Sequence, residues 1–191
     1  NLGNLLVSDE NLGWKTLNTG TIDPFCNKWD FQALRHQGNS ISKPYLPRSN
    51  EVPDDRQKLY SQQKLIFAKM ALSLEAEVDV DGEYSALNCN CISNLKKPWT
   101  LLALAVVLHS KVISFIYKQY FDGLRMRGGY LPFQAPQLKL IPIPEVTADS
   151  LSAINIIGAI KKFLANSLNQ ASEVNLSLEQ ISDFCVLELY L

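Results

Sequence analysis

The sequence predicts a mixed α/β (α+β) fold: a β-rich N-terminal half with a hairpin, one long central helix, an extended proline-rich segment and C-terminal helices. Three observations lead there. Residues 74–80 alternate apolar and acidic side chains with a period of two, the mark of a half-exposed strand. Residues 101–108 form an unbroken apolar run inside a longer helical pattern. From Ala153 onward, apolar residues recur at helical spacing.

Residues 1–50 read as irregular or β-rich, with a turn-prone Asn18-Thr19-Gly20. Lys43-Pro44-Tyr45-Leu46-Pro47-Arg48 is expected to be extended, because proline disfavours a helical backbone in the residue before it. Lys64-Leu65-Ile66-Phe67-Ala68 has the composition of a strand. Leu74, Ala76, Val78 and Val80 then alternate with Glu75, Glu77, Asp79 and Asp81, and Asp81-Gly82 is a hairpin turn signal leading into Tyr84-Ser85-Ala86-Leu87. That period puts four carboxylates on one face, expected to be solvated and to repel phosphates.

The principal helix is expected from Trp99 to about Tyr120, with Lys111, Ser114 and Lys118 on one polar stripe and Phe115 and Ile116 turned to the core. Pro142 and Pro144 suit an edge strand or an exit segment. Two helices close the chain. One is expected to bury Ala153, Ile156, Ile157, Ile160, Phe163, Leu164 and Leu168. The other, opened by a capping-box spacing at Ser177 to Gln180, carries Leu178, Ile181, Phe184 and Cys185 inward. The division is a main domain over 1–144 and a helical extension over 145–191 packed on it.

The 191 residues, 47% apolar and 19% charged, suffice for one domain with a substantial core. The apolar run falls short of the roughly 18 residues of a membrane span. Cys26, Cys89, Cys91 and Cys185 are scattered and no secretory leader is recognisable, so reduced thiols in a cytoplasmic protein are expected. The first residue is asparagine, which suggests a piece of a longer chain.

Charge is uneven. Residues 1–95 carry a net of −3 and residues 145–191 a net of −4, while residues 96–144 set seven basic side chains against Asp122 alone, a net of +6. A basic middle between acidic flanks is expected of a segment that faces phosphates, although a solvated helix face has the same composition. Within it stands Arg125-Met126-Arg127-Gly128-Gly129-Tyr130, two guanidinium groups beside a Gly-Gly bend and an aromatic ring. Arginine forks onto phosphate or onto the acceptor edge of guanine. Arg125, Arg127 and Tyr130 are therefore candidate base contacts. Lys111, Lys118, Lys96, Lys97 and Lys139 are candidate backbone contacts, against the plain alternative of surface charge.

Catalytic signatures are lacking. The hairpin carboxylates invite a magnesium-dependent nuclease, but no nearby lysine is evident and the later ligands of a calcium loop are missing. Cys89-Asn90-Cys91 has no second pair and no histidine at zinc spacing. His36 and His109 have no nucleophile with a recognisable motif, and Gly128-Gly129 lacks phosphate-loop and dinucleotide spacings.

In order and spacing, several pieces resemble the TaqI-like C-terminal specificity domain, the target recognition domain of adenine-specific DNA methyltransferases and single-chain restriction-modification enzymes. These are Leu17-Asn18-Thr19-Gly20-Thr21-Ile22-Asp23 with Trp29 following; Tyr45-Leu46-Pro47; Lys64-Leu65-Ile66; Val78-Asp79-Val80-Asp81-Gly82-Glu83-Tyr84; the helix through Ser110-Lys111-Val112; Arg127-Gly128-Gly129-Tyr130; the run from Leu138 to Pro144; and Leu187-Glu188-Leu189-Tyr190-Leu191. One departure is Leu108-His109-Ser110, where the family usually has leucine-asparagine-serine. The resemblance implies a module that docks on double-stranded DNA and selects the sequence to be modified. The family's methyl-transfer motif and a glycine-rich cofactor loop are absent from these residues. S-adenosylmethionine and methyl transfer, and possible cleavage, would thus belong to other domains of the parent chain, with the methyltransferase domain N-terminal to this one.

Overall fold

The computed structural model of the chain describes residues 2–8, 13–167 and 172–191. In chain order these hold β1 (Gly13–Asn18), β2 (Ile22–Asp23), β3 (Cys26–Asn27), β4 (Leu34–His36), β5 (Asn39–Ile41), β6 (Tyr45–Pro47) and α1 (Asp54–Tyr60). Next come β7 (Lys64–Ala68), β8 (Met70–Ala71), β9 (Ala76–Asp79), β10 (Tyr84–Leu87) and β11 (Cys89–Ile92). Helices α2 (Leu101–His109) and α3 (Lys111–Phe121), β12 (Leu131–Pro132), α4 (Ala135–Leu138), α5 (Ala148–Ala165) and α6 (Ser172–Glu188) complete the set. The mixed α/β class follows directly.

Two three-stranded sheets organise the N-terminal half, in the orders β10-β1-β6 and β11-β7-β9. Strand β7 is their pivot, because all five of its residues are buried. Its period of two divides them. Leu65 and Phe67 enter the main core with α2, while Ile66 and Ala68 join Leu17, Ile22, Trp29 and Tyr45 in a second core. A third cluster holds Trp14, Leu46, Val52 and Tyr60, with Trp14 and Tyr60 edge to face at 5.8 Å.

The Asp81-Gly82 turn does not close the expected hairpin. β9 pairs antiparallel with β7 (Lys64 opposite Asp79), and β10 crosses to pair in parallel with β1 (Lys15 opposite Tyr84). The expected acidic face is also corrected. Glu77 and Asp79 are both buried, since β9 has α2 packed on it and β2 and β3 as further neighbours. Each found a cation. The buried Lys64 ammonium donates to Asp79 and to the carbonyls of Tyr60 (2.8 Å) and Gln62 (3.2 Å). Asp79 also accepts backbone N–H groups of Gly82 (2.9 Å), Glu83 (3.1 Å) and Tyr84 (3.0 Å), so one carboxylate shapes the whole crossover. Glu77 takes Lys162 of α5 at 2.6 Å and Asn27 at 3.1 Å, and burial pushes its carboxyl up against the opposing pull of Lys162. The lysine that the nuclease reading lacked is present, but it and the turn amides engage both oxygens of Asp79.

The principal helix is two helices, bent by 61° at Ser110. Ser110 Oγ donates to Val107 O (2.6 Å) and accepts from Ile113 N (3.2 Å), ending one helix and capping the next. Residues 103–108 of α2 are buried all round. The bend re-aims the second half, so that Ile113 and Tyr117 face inward while Phe115 is 65% exposed. Among the described residues, no single helix is long and apolar enough to cross a membrane.

Helix α5 also turns a different face inward. It buries Leu151, Ile154, Ile157 and Gly158, and leaves Ile156, Ile160 and Phe163 exposed. Gly158 explains the choice, since a Cβ there would stand 3.0 Å from Leu102 Cβ of α2. Leu168 lies outside the described residues. Helix α6 begins before Ser177, so that residue is internal rather than a cap. Val186 and Ser182 are buried and Leu178 packs on the core, whereas Ile181 and Phe184 are exposed. Residues 131–144 are not one extended run, because α4 interrupts them. Pro142 and Pro144 lie in the exit segment without a strand.

A test follows from the burial of Asp79. Removing one partner of a buried pair costs about 3–5 kcal/mol. Asp79→Ala should therefore lower the urea midpoint by a corresponding amount, and Asp81→Ala, on an exposed residue, should change stability by less than about 0.5 kcal/mol.

Candidate nucleic-acid interface

The Arg-Gly-Gly-Tyr element is a tight turn on a stiff base. Gly129 N–H donates to Met126 O (3.0 Å), and Met126 N–H donates back to Tyr130 O (2.8 Å). Gly128 and Gly129 adopt φ of +85° and +87°, a left-handed backbone that glycine enters without strain. Arg127 therefore sits at the tip, exposed and without an ion pair among the described residues. Arg125 is exposed too, but its guanidinium pairs with Asp122, the one acid of the basic segment. Tyr130 is 44% exposed and lies beside Gly128.

Beneath the turn, β12 pairs with β8 (Leu131 opposite Ala71). Phe133 N–H donates to Lys69 O (2.8 Å), and Asn90 donates to Phe133 O (2.7 Å). Tyr117 donates its hydroxyl to Pro132 O and stacks at 4.6 Å on both Phe121 and Phe133. A mobile-looking sequence element is thus anchored to α3 and to the strand before the Leu72 loop. Gly129 itself lies against Leu72.

Lys111, Ser114 and Lys118 share one side of α3, as their spacing predicts, and together line an open cleft of about 500 Å³ between α3, α5 and α6. Lys111 is partly engaged: Asp183 of α6 accepts its backbone N–H (2.8 Å) and lies 3.6 Å from its ammonium. Lys161 of α5 reaches the same cleft and was missed by sequence reasoning, because it stands in an acidic C-terminal segment next to Lys162. The two lysines part ways, Lys162 to buried Glu77 and Lys161 over the Phe25 ring at 6.0 Å. Burial lowers the affinity of Lys161 for its proton, and Lys111 adds to this against the opposing fields of Glu179 and Asp183.

The other candidates stand apart. Lys96 and Lys97 are exposed just before the N-terminus of α2, while Lys111 follows its C-terminus, so a nine-residue helix about 13 Å long separates them. Lys139 is exposed at the C-cap of α4. The structure thus joins Lys111 and Lys118 with Lys161, and sets Arg125, Arg127 and Tyr130 on a neighbouring turn.

His109 forms part of the cleft lining. Its Nε2 accepts Ala76 N–H (3.0 Å), its ring packs edge-on to Phe25 at 4.8 Å, and burial with help from Lys161 pulls its pKa down to about 3. The neutral ring then carries its proton on enclosed Nδ1, for which no partner is found among the described residues. Burial pushes the thiols of Cys89 and Cys91 up to about 12 and 11, so neither offers a ready thiolate. Among the described residues no group of three or more His, Cys, Asp or Glu is placed to hold a metal ion. No family model matches this chain, and no curated protein matches it.

His109 generates a pH test. An unfolded histidine protonates near about pH 6.5, the folded one only near 3, so this residue makes stability rise with pH between those values. Glu75, pushed up to about 7 by burial and then by Asp23, acts in the opposite sense from about pH 4.5 to 7. The readout is therefore the difference between variants. Relative to wild type, His109→Gln should lose less urea stability on acidification from about pH 7 to 4.

Proposed function

We propose that this chain is a target-recognition module for double-stranded DNA, without catalytic activity of its own, that positions DNA for adenine methylation by other domains of a longer enzyme. The observation that carries the reading is the exposed, glycine-hinged tip with Arg127, seated on a rigid aromatic base beside the lysine face of α3. Rigid support matters, because base readout needs the guanidinium held in a fixed approach. The lysines supply sequence-independent attraction to phosphates, and the arginines and Tyr130 supply discrimination. The TaqI-like resemblance supports the same reading. It also assigns S-adenosylmethionine to a methyltransferase domain N-terminal to this one, and leaves open whether the parent cuts DNA.

One observation favours a second reading, a protein-interaction module that packs on a methyltransferase core or other subunit with little DNA contact. Ile156, Ile160 and Phe163 of α5 and Ile181 and Phe184 of α6 are all exposed. Apolar side chains in that number on two helices suit a protein surface.

Binding of the parent enzyme to cognate and mismatched duplexes separates the two. Arg127→Ala should reduce discrimination by about 1–3 kcal/mol, the worth of one bidentate base contact. Arg125→Ala should do less, since its guanidinium is shared with Asp122. Unchanged affinity and preference in the double variant would favour the interaction module.

A further inference from the structure

The cleft between α3, α5 and α6 is lined by more ammonium than carboxylate groups, three lysines against Glu179 and Asp183. Its volume of about 500 Å³ falls within the roughly 300–1,000 Å³ of small-ligand sites. Lysines 111, 118 and 161 line it from two helices, with Ser114 between the first two. The carboxylates present do not cancel them. Asp183 gives its hydrogen bond and its nearest approach to Lys111, so that Lys161 feels only the longer-range fields of Glu179 and Asp183. Among the described residues neither Lys118 nor Lys161 has a carboxylate within ion-pairing distance. Lys161 is the telling group. Its ammonium is drawn out of water onto the Phe25 ring, and burial disfavours its charged form. A partly dehydrated cation without a partner is costly unless an anion joins it.

We infer that this cleft binds a phosphate group, held by the ammonium groups of Lys118 and Lys161 and the hydroxyl of Ser114. Phosphate fits better than a carboxylate because its oxygens can take several donors from different helices at once. The inference stands on the cleft alone and does not need the base-reading turn. The phosphate has two possible sources, the backbone of a duplex or a small phosphorylated molecule.

The test uses Lys161→Met, which removes the charge but keeps an apolar stem over Phe25, and Lys118→Met on the exposed face of α3. Binding of inorganic phosphate and of 5′-AMP is followed by calorimetry, and binding of a short labelled duplex by anisotropy over a range of salt. The inference expects each variant to weaken at least one of these probes about tenfold. If the duplex is the source, the slope of log affinity against log salt should also fall by about one. Loss of phosphate and 5′-AMP binding with an unchanged duplex slope supports the phosphate site and assigns it to a small molecule, separately from the fate of the Arg127 test. Wild-type-like binding of all three probes by both variants would overturn it. Should Lys161→Met fail to fold by circular dichroism, Lys118→Met decides alone.

Discussion

The buried pairing of Lys64 with Asp79 is the constraint around which the N-terminal half is arranged. Asp79 ends β9, and its oxygens collect the ammonium together with three amides of the following loop. Those amides set the direction in which the chain leaves, and the chain leaves towards β1 rather than back along β9. The parallel β1–β10 pairing, the second core beneath it and the seat of Tyr60 all follow from that exit. Such a pair adds little net energy over an apolar one, but it is unforgiving of wrong arrangements, because any other path leaves a charge buried alone.

The cationic surface depends on a second device, the serine hinge at Ser110. One unbroken helix would have carried Lys111 and Lys118 away in line with apolar α2. The bend folds α3 back over the Leu72 loop, where Tyr117 can anchor Phe133 and β12, and where its polar side meets α5 and α6. Ser110 thus links core and surface: its hydroxyl closes α2 from beneath while its cap sets the orientation of α3.

Local pattern in the sequence reveals much of this and misses the rest for identifiable reasons. β7, the extended segment at Tyr45, the helical run from Leu101 and the Arg-Gly-Gly-Tyr bend are legible because each depends on near neighbours. The burial of Glu77 and Asp79 is not, because it depends on α2 and the β2–β3 pair arriving from distant positions. The parallel partner of β1 lies almost seventy residues away and leaves no local trace. Two misses did have signals. A serine capping geometry at position 110 was available to split the helix, and Gly158 marks the side of α5 that comes closest to another helix. Lys161 was hidden by averaging, since an acidic segment masks a single lysine whose position is fixed only by packing.

In this account the α3 lysines and the glycine turn form one working face, with the exposed apolar sides of α5 and α6 left for protein contacts. The most direct measurement is a crystal or cryo-EM structure of the proposed parent enzyme on its cognate duplex. The account expects Arg127 in a groove at the base edges, with the α3 lysines, Lys111 and Lys118, turned to the phosphate backbone. A complex in which the turn and α3 face away from the nucleic acid would contradict it.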